Sequence, residues 1–311
     1  MSSMNAQLAI PEGWDAGNIP DQSGKKILIT GGTSGLGLAA AQALTRKGAE
    51  VTITARNLEK ARHSLKLIGQ GSSVIEMDLM KLSSVRSAAQ EVLDRGNDFN
   101  VVILNAGIMA VPLAMTQEGF ESQMGTNHLG HYAFAGLIKE VISERIVSVS
   151  SQAHRMGAFG NGSIEDIRDR CCGVGKYSPW AAYGASKLSN LLFTAQIERL
   201  RLQKHWRFIP IVAHPGWSAT HLFGSQNKVT SAITSLIAQP ASRGALPILC
   251  AATFPGLIGN SYIGPSGAGE MRGTPKLTRA RALAYDQTLA ANLWAVSEEL
   301  TGIKWETSPH A

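Results

Sequence analysis

Tyr183 and Lys187 stand four residues apart in Tyr183-Gly184-Ala185-Ser186-Lys187, a separation that brings two side chains to one face of a helix. A phenol ionises near pH 10, too high for easy proton exchange at neutral pH, and a neighbouring cation lowers such a pKa by about one to three. The pair therefore suits general acid–base work. Upstream, Arg145-Ile146-Val147-Ser148-Val149-Ser150-Ser151 reads as a strand finishing in two serines. One of those hydroxyls can donate to a carbonyl oxygen while the phenol gives it a proton.

A second group of residues points to a dinucleotide. The apolar run Lys26–Thr30 breaks into Thr30-Gly31-Gly32-Thr33-Ser34-Gly35-Leu36-Gly37 and leads directly into a helix. Gly31 suits the tight turn, Gly35 lets backbone approach a pyrophosphate, and Gly37 lets the helix pack closely on the sheet. The backbone N–H groups around Thr33, Ser34 and Leu36 then face the anion. In such folds an acidic residue about 20 residues later binds the ribose 2′-hydroxyl, whereas an arginine accepts a 2′-phosphate. Here the second strand ends in Thr54-Ala55-Arg56-Asn57, with no carboxylate at that place. The planar fork of Arg56 favours NADP(H) over NAD(H). Asp78, after the third strand, is placed to contact the adenine.

The elements that must position these groups alternate regularly. After the first strand, a helix over Leu36–Lys47 closes at Gly48, followed by strands at Glu50–Thr54, Val74–Met77 and Val101–Leu104 and a helix at Leu58–Ile68. The periodicity then predicts a helix after Ser83-Ser84, a long one over Glu118–Ser143, and another from Ser178-Pro179, with a further strand at Phe208–Ala213. Apolar strands alternating with helices predict an α/β fold: a single doubly wound parallel-sheet (Rossmann) domain over residues 24–311, with helices on both faces and an N-terminal arm over 1–23. The apolar residues of 217–239 suggest a substrate lid, which Trp180 and Met156 would flank.

Composition excludes several classes. The 311 residues are 44% hydrophobic and 17% charged, which argues against disorder, and the 32 glycines show no collagen period. The net charge of +6 could serve nucleic acid, but its densest patch, Arg199, Arg201, Lys204 and Arg207, reads as a solvated helix end. No nucleic-acid partner is expected. Three cysteines, two of them adjacent at Cys171-Cys172, make neither a disulfide framework nor a zinc motif, and they read as thiols in a surface insertion. With no signal peptide and no run of about 18 apolar residues, a cytoplasmic protein without a membrane span is expected. His128 and His131 lack a third ligand, so no metal is expected, and homo-oligomerisation stays open.

The chain resembles the short-chain dehydrogenase/reductase family through Thr30-Gly31-(x)3-Gly35-x-Gly37, Asp78-Leu79, Asn105-Ala106-Gly107, Asn127, Ser151, Tyr183-(x)3-Lys187 and His214-Pro215-Gly216, all in family order. Leu104 departs from it, standing where a common pattern has a first asparagine. The resemblance implies NAD(P)(H)-linked interconversion of a carbonyl and an alcohol, with Tyr183 as general acid and Ser151 polarising the carbonyl. Lys187 would lower the tyrosine pKa and hold the nicotinamide ribose, and Asn127 would support a water in the proton relay. Leu79, Asn105, Ala106 and Gly107 would line the cofactor, and Pro215, Gly216 and Thr220 its nicotinamide end. Within the family, Tyr177–Tyr183, Asn127–His131 and the tail around Asn292–Ile303 are most similar to the retinol dehydrogenase and protochlorophyllide reductase-like branch. Two other readings remain: a catalytically silent NADP-binding sensor, and a reductase of carbon–carbon double bonds.

Overall fold

The computed structural model describes residues 9–96, 98–216 and 239–305. Its centre is an eight-stranded sheet in the order β3-β2-β1-β4-β5-β6-β7-β8. The strands are β1 (Lys26–Thr30), β2 (Glu50–Ala55), β3 (Ser72–Glu76), β4 (Phe99–Leu104), β5 (Ile142–Val149), β6 (Ile209–Ala213), β7 (Tyr262–Pro265) and β8 (Pro275–Leu277). β1 to β7 pair in parallel and β8 returns antiparallel along β7. The chain order reverses between β1 and β4, which opens a crevice at the carboxyl ends of the strands where ligands bind in such sheets.

Alternation along the strands sorts the core onto two faces. Ile27, Ile29, Ile53 and Ile103 join α1 (Gly35–Thr45) and the later helix Leu246–Thr253, while Leu28, Val102 and Ile146 face α3 (Leu82–Asp94) and the helix after it. A further helix, α2 (Leu58–Ile68), is capped by the Asn57 side chain accepting from Lys60 N–H. The arm does not hang free where it is described: Trp14 and Ile19 are buried in the first of these clusters, and the Lys47 ammonium donates to the Gly17 carbonyl at 2.9 Å.

The long helix is shorter than the periodicity of Glu118–Ser143 predicts. It runs as Ser122–Met124, a π turn at Gly125–Leu129 and Gly130–Ile138, which we call α4. Gly119, at φ +83°, makes the preceding turn, and the Glu121 carboxylate caps the start by accepting from Gln123 and Met124 N–H. At the other end Ile142 pairs with Phe99, so sheet hydrogen bonding overrides the continuing apolar pattern. Cys171 also departs from expectation, being buried at the end of α5 (Ile164–Cys171), where its carbonyl accepts from Glu121 N–H at 2.7 Å. Further long helices among the described residues are α6 (Pro179–Lys204), α7 (Leu246–Thr253) and α8 (Gln287–Thr301). Over α4, Tyr132, Phe193, Trp294 and Trp305 form an aromatic cluster: Tyr132 meets Trp294 edge-on at 5.0 Å, and the Trp305 indole donates to the Tyr132 carbonyl at 3.2 Å.

Candidate functional site

The glycine turn is braced from the neighbouring strand. The Thr30 hydroxyl oxygen accepts from Asn105 N–H at 2.9 Å and Ala106 N–H at 3.0 Å, and it lies 2.8 Å from His131 Nε2. His131 Nδ1 donates to the Asn127 carbonyl at 3.1 Å, so Nε2 is the acceptor and Thr30 gives it its proton. Burial pushes the His131 pKa down to about 4, which keeps the ring in this neutral form. The Asn105 amide adds a bond to the Thr30 carbonyl at 2.9 Å.

The space inside the turn is fitted to a dinucleotide. Gly31 has φ +68°, and a Cβ there would lie 2.9 Å from Ala106 Cβ; one on Gly37 would lie 2.5 Å from the Gly31 carbonyl. Gly35 has φ +54°, and Ser34 at the start of α1 makes no side-chain cap, so Thr33, Ser34, Gly35, Leu36 and Gly37 present a helix N-terminus at the crevice. Gly32 plays a part the fingerprint reading missed: a Cβ there would strike Ile53 at 2.3 Å, so the turn can lie flat on β2 only without one. Arg56 is exposed immediately after β2, and Asp78, half-buried, follows β3 at the same sheet edge. One Asp78 carboxylate oxygen accepts from Met80 N–H at 3.1 Å, and Leu79 beside it is buried.

The two serines at the end of β5 divide their work. Ser150 is buried and donates to the Lys187 carbonyl at 2.8 Å, fastening α6 to the strand. Ser151, half-buried, accepts from Ala153 N–H at 3.2 Å and lies near enough to Tyr183 to favour the ionised phenol. Their approach depends on Gly157 and Gly184, because a Cβ on Gly157 would lie 2.3 Å from the Gly184 carbonyl. Burial pushes the Tyr183 phenol up to about 12, the Ser151 contact acting in the opposite sense. Lys187 Nζ donates to the Val149 carbonyl at 2.9 Å and stands 5.7 Å from the tyrosine ring centroid, while burial drives its own pKa down to about 8.

Asn127 sits in the π turn of α4, a helix irregularity often found at functional sites. Its side chain accepts from Ile108 N–H at 2.8 Å and donates to the Ile108 carbonyl and to Ser186 Oγ, both at 2.9 Å. A water carried by this residue would therefore sit on its backbone carbonyl, which has one lone pair engaged by His131. Gly107 lies between the groups; its Cβ would be 3.0 Å from Asn127 Oδ1 and 3.6 Å from Lys187 Nζ. His128 is buried, with Nε2 2.8 Å from Ser297 Oγ.

At the end of β6, Gly216 N–H donates to His214 Nδ1 at 3.3 Å and the Gln239 amide donates to the Pro215 carbonyl at 2.7 Å. Thr220 and the proposed lid, Gln239 excepted, lie outside the described residues. Trp180 and Met156 are exposed nearby. A cleft of about 490 Å³ is lined by Gln152, which follows Ser151 in the chain, with Arg155, Gly267, Glu270 and Lys276. Its carboxylate, Glu270, had no signal in motif or spacing.

A family model described as short chain dehydrogenase matches residues 25–163. Polyprenol dehydrogenase of Homo sapiens is 30% identical over 303 residues, covering 91% of this chain and 87% of that protein. Retinol dehydrogenase 12 of Mus musculus is 32% identical over 296 residues, covering 91% and 88%. A crystal structure of an uncharacterised protein from Mycobacterium Paratuberculosis superposes with a TM-score of 0.80 at 38% identity, covering 94% of this chain and 99% of that one. The chain belongs to the short-chain dehydrogenase/reductase family, and is an NAD(P)-dependent oxidoreductase by that membership. Its relatives agree with the retinol dehydrogenase-like branch that the stretch before Tyr183 indicates. Among the described residues no helix is long and apolar enough to cross a membrane.

Proposed function

We propose that the protein is an NADP(H)-preferring reductase of aldehydes or ketones, acting in the cytoplasm on apolar small molecules. The observation that carries this reading is the convergence of Ser151, Tyr183 and Lys187 at the carboxyl edge of the sheet, with Asn127 behind them. A nicotinamide dinucleotide, when bound, supplies the hydride. The protein's share is placement and protons. Ser151 donates a hydrogen bond to the substrate carbonyl oxygen, and the Tyr183 phenol, still protonated at neutral pH because burial holds it near 12, gives that oxygen its proton. Lys187, buried below the ring, takes the nicotinamide ribose, and the glycine turn with the start of α1 takes the pyrophosphate. Arg56 takes the 2′-phosphate, Asp78 the adenine, and Asn105, Ala106, Gly107, Pro215 and Gly216 line the rest. The polyprenol and retinol named for two relatives are apolar alcohols, in keeping with the substrate class proposed.

The test follows NADPH absorbance over a panel of aldehydes, ketones and enones with wild type and Tyr183→Phe. Loss of about 10²- to 10⁴-fold in kcat for the variant is expected. Equal turnover by both refutes the mechanism. NADPH binding without turnover across the panel identifies a sensor, and turnover confined to enones a double-bond reductase.

A further inference from the structure

The β7–β8 hairpin carries a carboxylate that the reaction scheme above does not use. Glu270 lies in the loop between the strands with φ +56°, a left-handed conformation that a non-glycine residue rarely adopts. Three donors converge on it. His214 Nε2 donates to Oε2 at 2.9 Å, Gln152 Nε2 donates to the same oxygen, and the Thr278 hydroxyl donates to Oε1. The His214 tautomer follows from its other nitrogen, since Nδ1 accepts from Gly216 N–H. Burial would raise the pKa of Glu270, but the bonds from His214 and Thr278 hold it near 2, so the acceptor stays ionised.

These partners belong to the site from opposite sides. Gln152 directly follows Ser151, and His214 directly precedes Pro215-Gly216. The hairpin also reaches Gly216 by contact: a Cβ there would lie 2.4 Å from the Met271 carbonyl, and Gly216 itself has φ +70°. One carboxylate thus joins the loop after β5, the loop after β6 and the hairpin of β7 and β8.

We propose that Glu270 is a positioning residue, a clamp that holds the Ser151 loop and the Gly216 backbone in fixed register across the hydride-transfer site. The proposal rests on the reductase reading for its kinetic consequence, though not for its structural one. Three converging donors need two acceptor oxygens, and Glu270→Gln offers one. In that variant kcat falls about 10- to 100-fold, as loss of a charged acceptor predicts. The isotope effect with 4-deuterated NADPH rises, because misalignment slows hydride transfer itself, while NADPH Kd and the thermal midpoint change little.

The second readout needs no turnover. By hydrogen exchange on the protein alone, the amides of Gln152–Met156 and Gly216 exchange faster in Glu270→Gln, and those of β1 and α1 do not. Thr278→Val, which removes one donor and keeps the shape, gives the same local pattern more weakly and serves if the first variant fails to fold. Unchanged exchange at Gln152–Met156 and Gly216, or a rise spread over the whole chain in both variants, overturns the clamp. So does a fall in kcat without a larger isotope effect. If Tyr183→Phe already matches wild type, the reductase reading fails separately and the exchange pattern still decides the clamp.

Discussion

Replacing Lys187 by methionine is expected to stabilise the protein at neutral pH while removing its activity. The ammonium is buried, and burial lowers its pKa from 10.5 to about 8. At about 1.4 kcal/mol per pH unit, that gap makes the folded state roughly 3 kcal/mol poorer at pH 7 than it would be with the group neutral. Methionine removes this penalty and the bond to the Val149 carbonyl, worth about 1 kcal/mol, while Asn190 Nδ2 still donates to that carbonyl at 3.0 Å. The net expectation is about 2 kcal/mol of added stability. Its sign depends on pH. Between about 8 and 10.5 the unfolded chain binds a proton that the folded chain has lost, so wild-type stability gains on the variant as pH rises. Above that window only the lost bond remains and the variant becomes the weaker by about 1 kcal/mol. Urea denaturation of both proteins from pH 7 to 11 measures the difference, in which the titrations they share cancel. A variant less stable than wild type at pH 7, or a difference independent of pH, refutes the reasoning.

Other expectations follow from single contacts. Arg56→Ala weakens NADPH binding by about tenfold and leaves NADH binding within about twofold, as fluorescence titration will show; equal losses remove Arg56 from the 2′-phosphate role. Thr30→Val leaves Asn105 N–H, Ala106 N–H and His131 Nε2 without their shared partner and costs about 2–4 kcal/mol in urea denaturation. Gly184→Ala places a methyl 2.8 Å from both the Ala153 carbonyl and Gly157 N, costing about 1–3 kcal/mol and parting Ser151 from Tyr183; steady-state kinetics should show kcat falling with it.

The sequence shows most clearly what is local. The strand at Lys26–Thr30, the helix at Leu58–Ile68 and the cap at Ser178-Pro179 occur where pattern and turn chemistry place them, because a few adjacent residues decide them. The Tyr183–Lys187 spacing likewise converts directly into geometry on α6. The end of the long helix is different, since Ile142 joins the sheet only because Phe99 waits beside it. Ser150 and Ser151 are chemically identical in the sequence, and only the Lys187 carbonyl separates a fastening from a facing hydroxyl. Spacing gives proximity but not burial, and burial is the largest cause of both the Tyr183 and the Lys187 pKa shift. Glu270 lies 118 residues from Gln152 and 56 from His214, and no periodicity or motif joins them before the sheet is assembled.

The aromatic cluster has a kinetic meaning. The Trp305 indole reaches back 173 residues to Tyr132, and the Tyr132 hydroxyl donates to the Ile303 carbonyl across a similar span. Contacts of such length return energy only after the chain between them has been ordered, so they form late in folding and slow it. Mutations at Trp305 should consequently quicken unfolding far more than they retard folding. The aromatic cluster over α4 is then expected to order after the local elements, a step that the fluorescence of Trp294 and Trp305 would report.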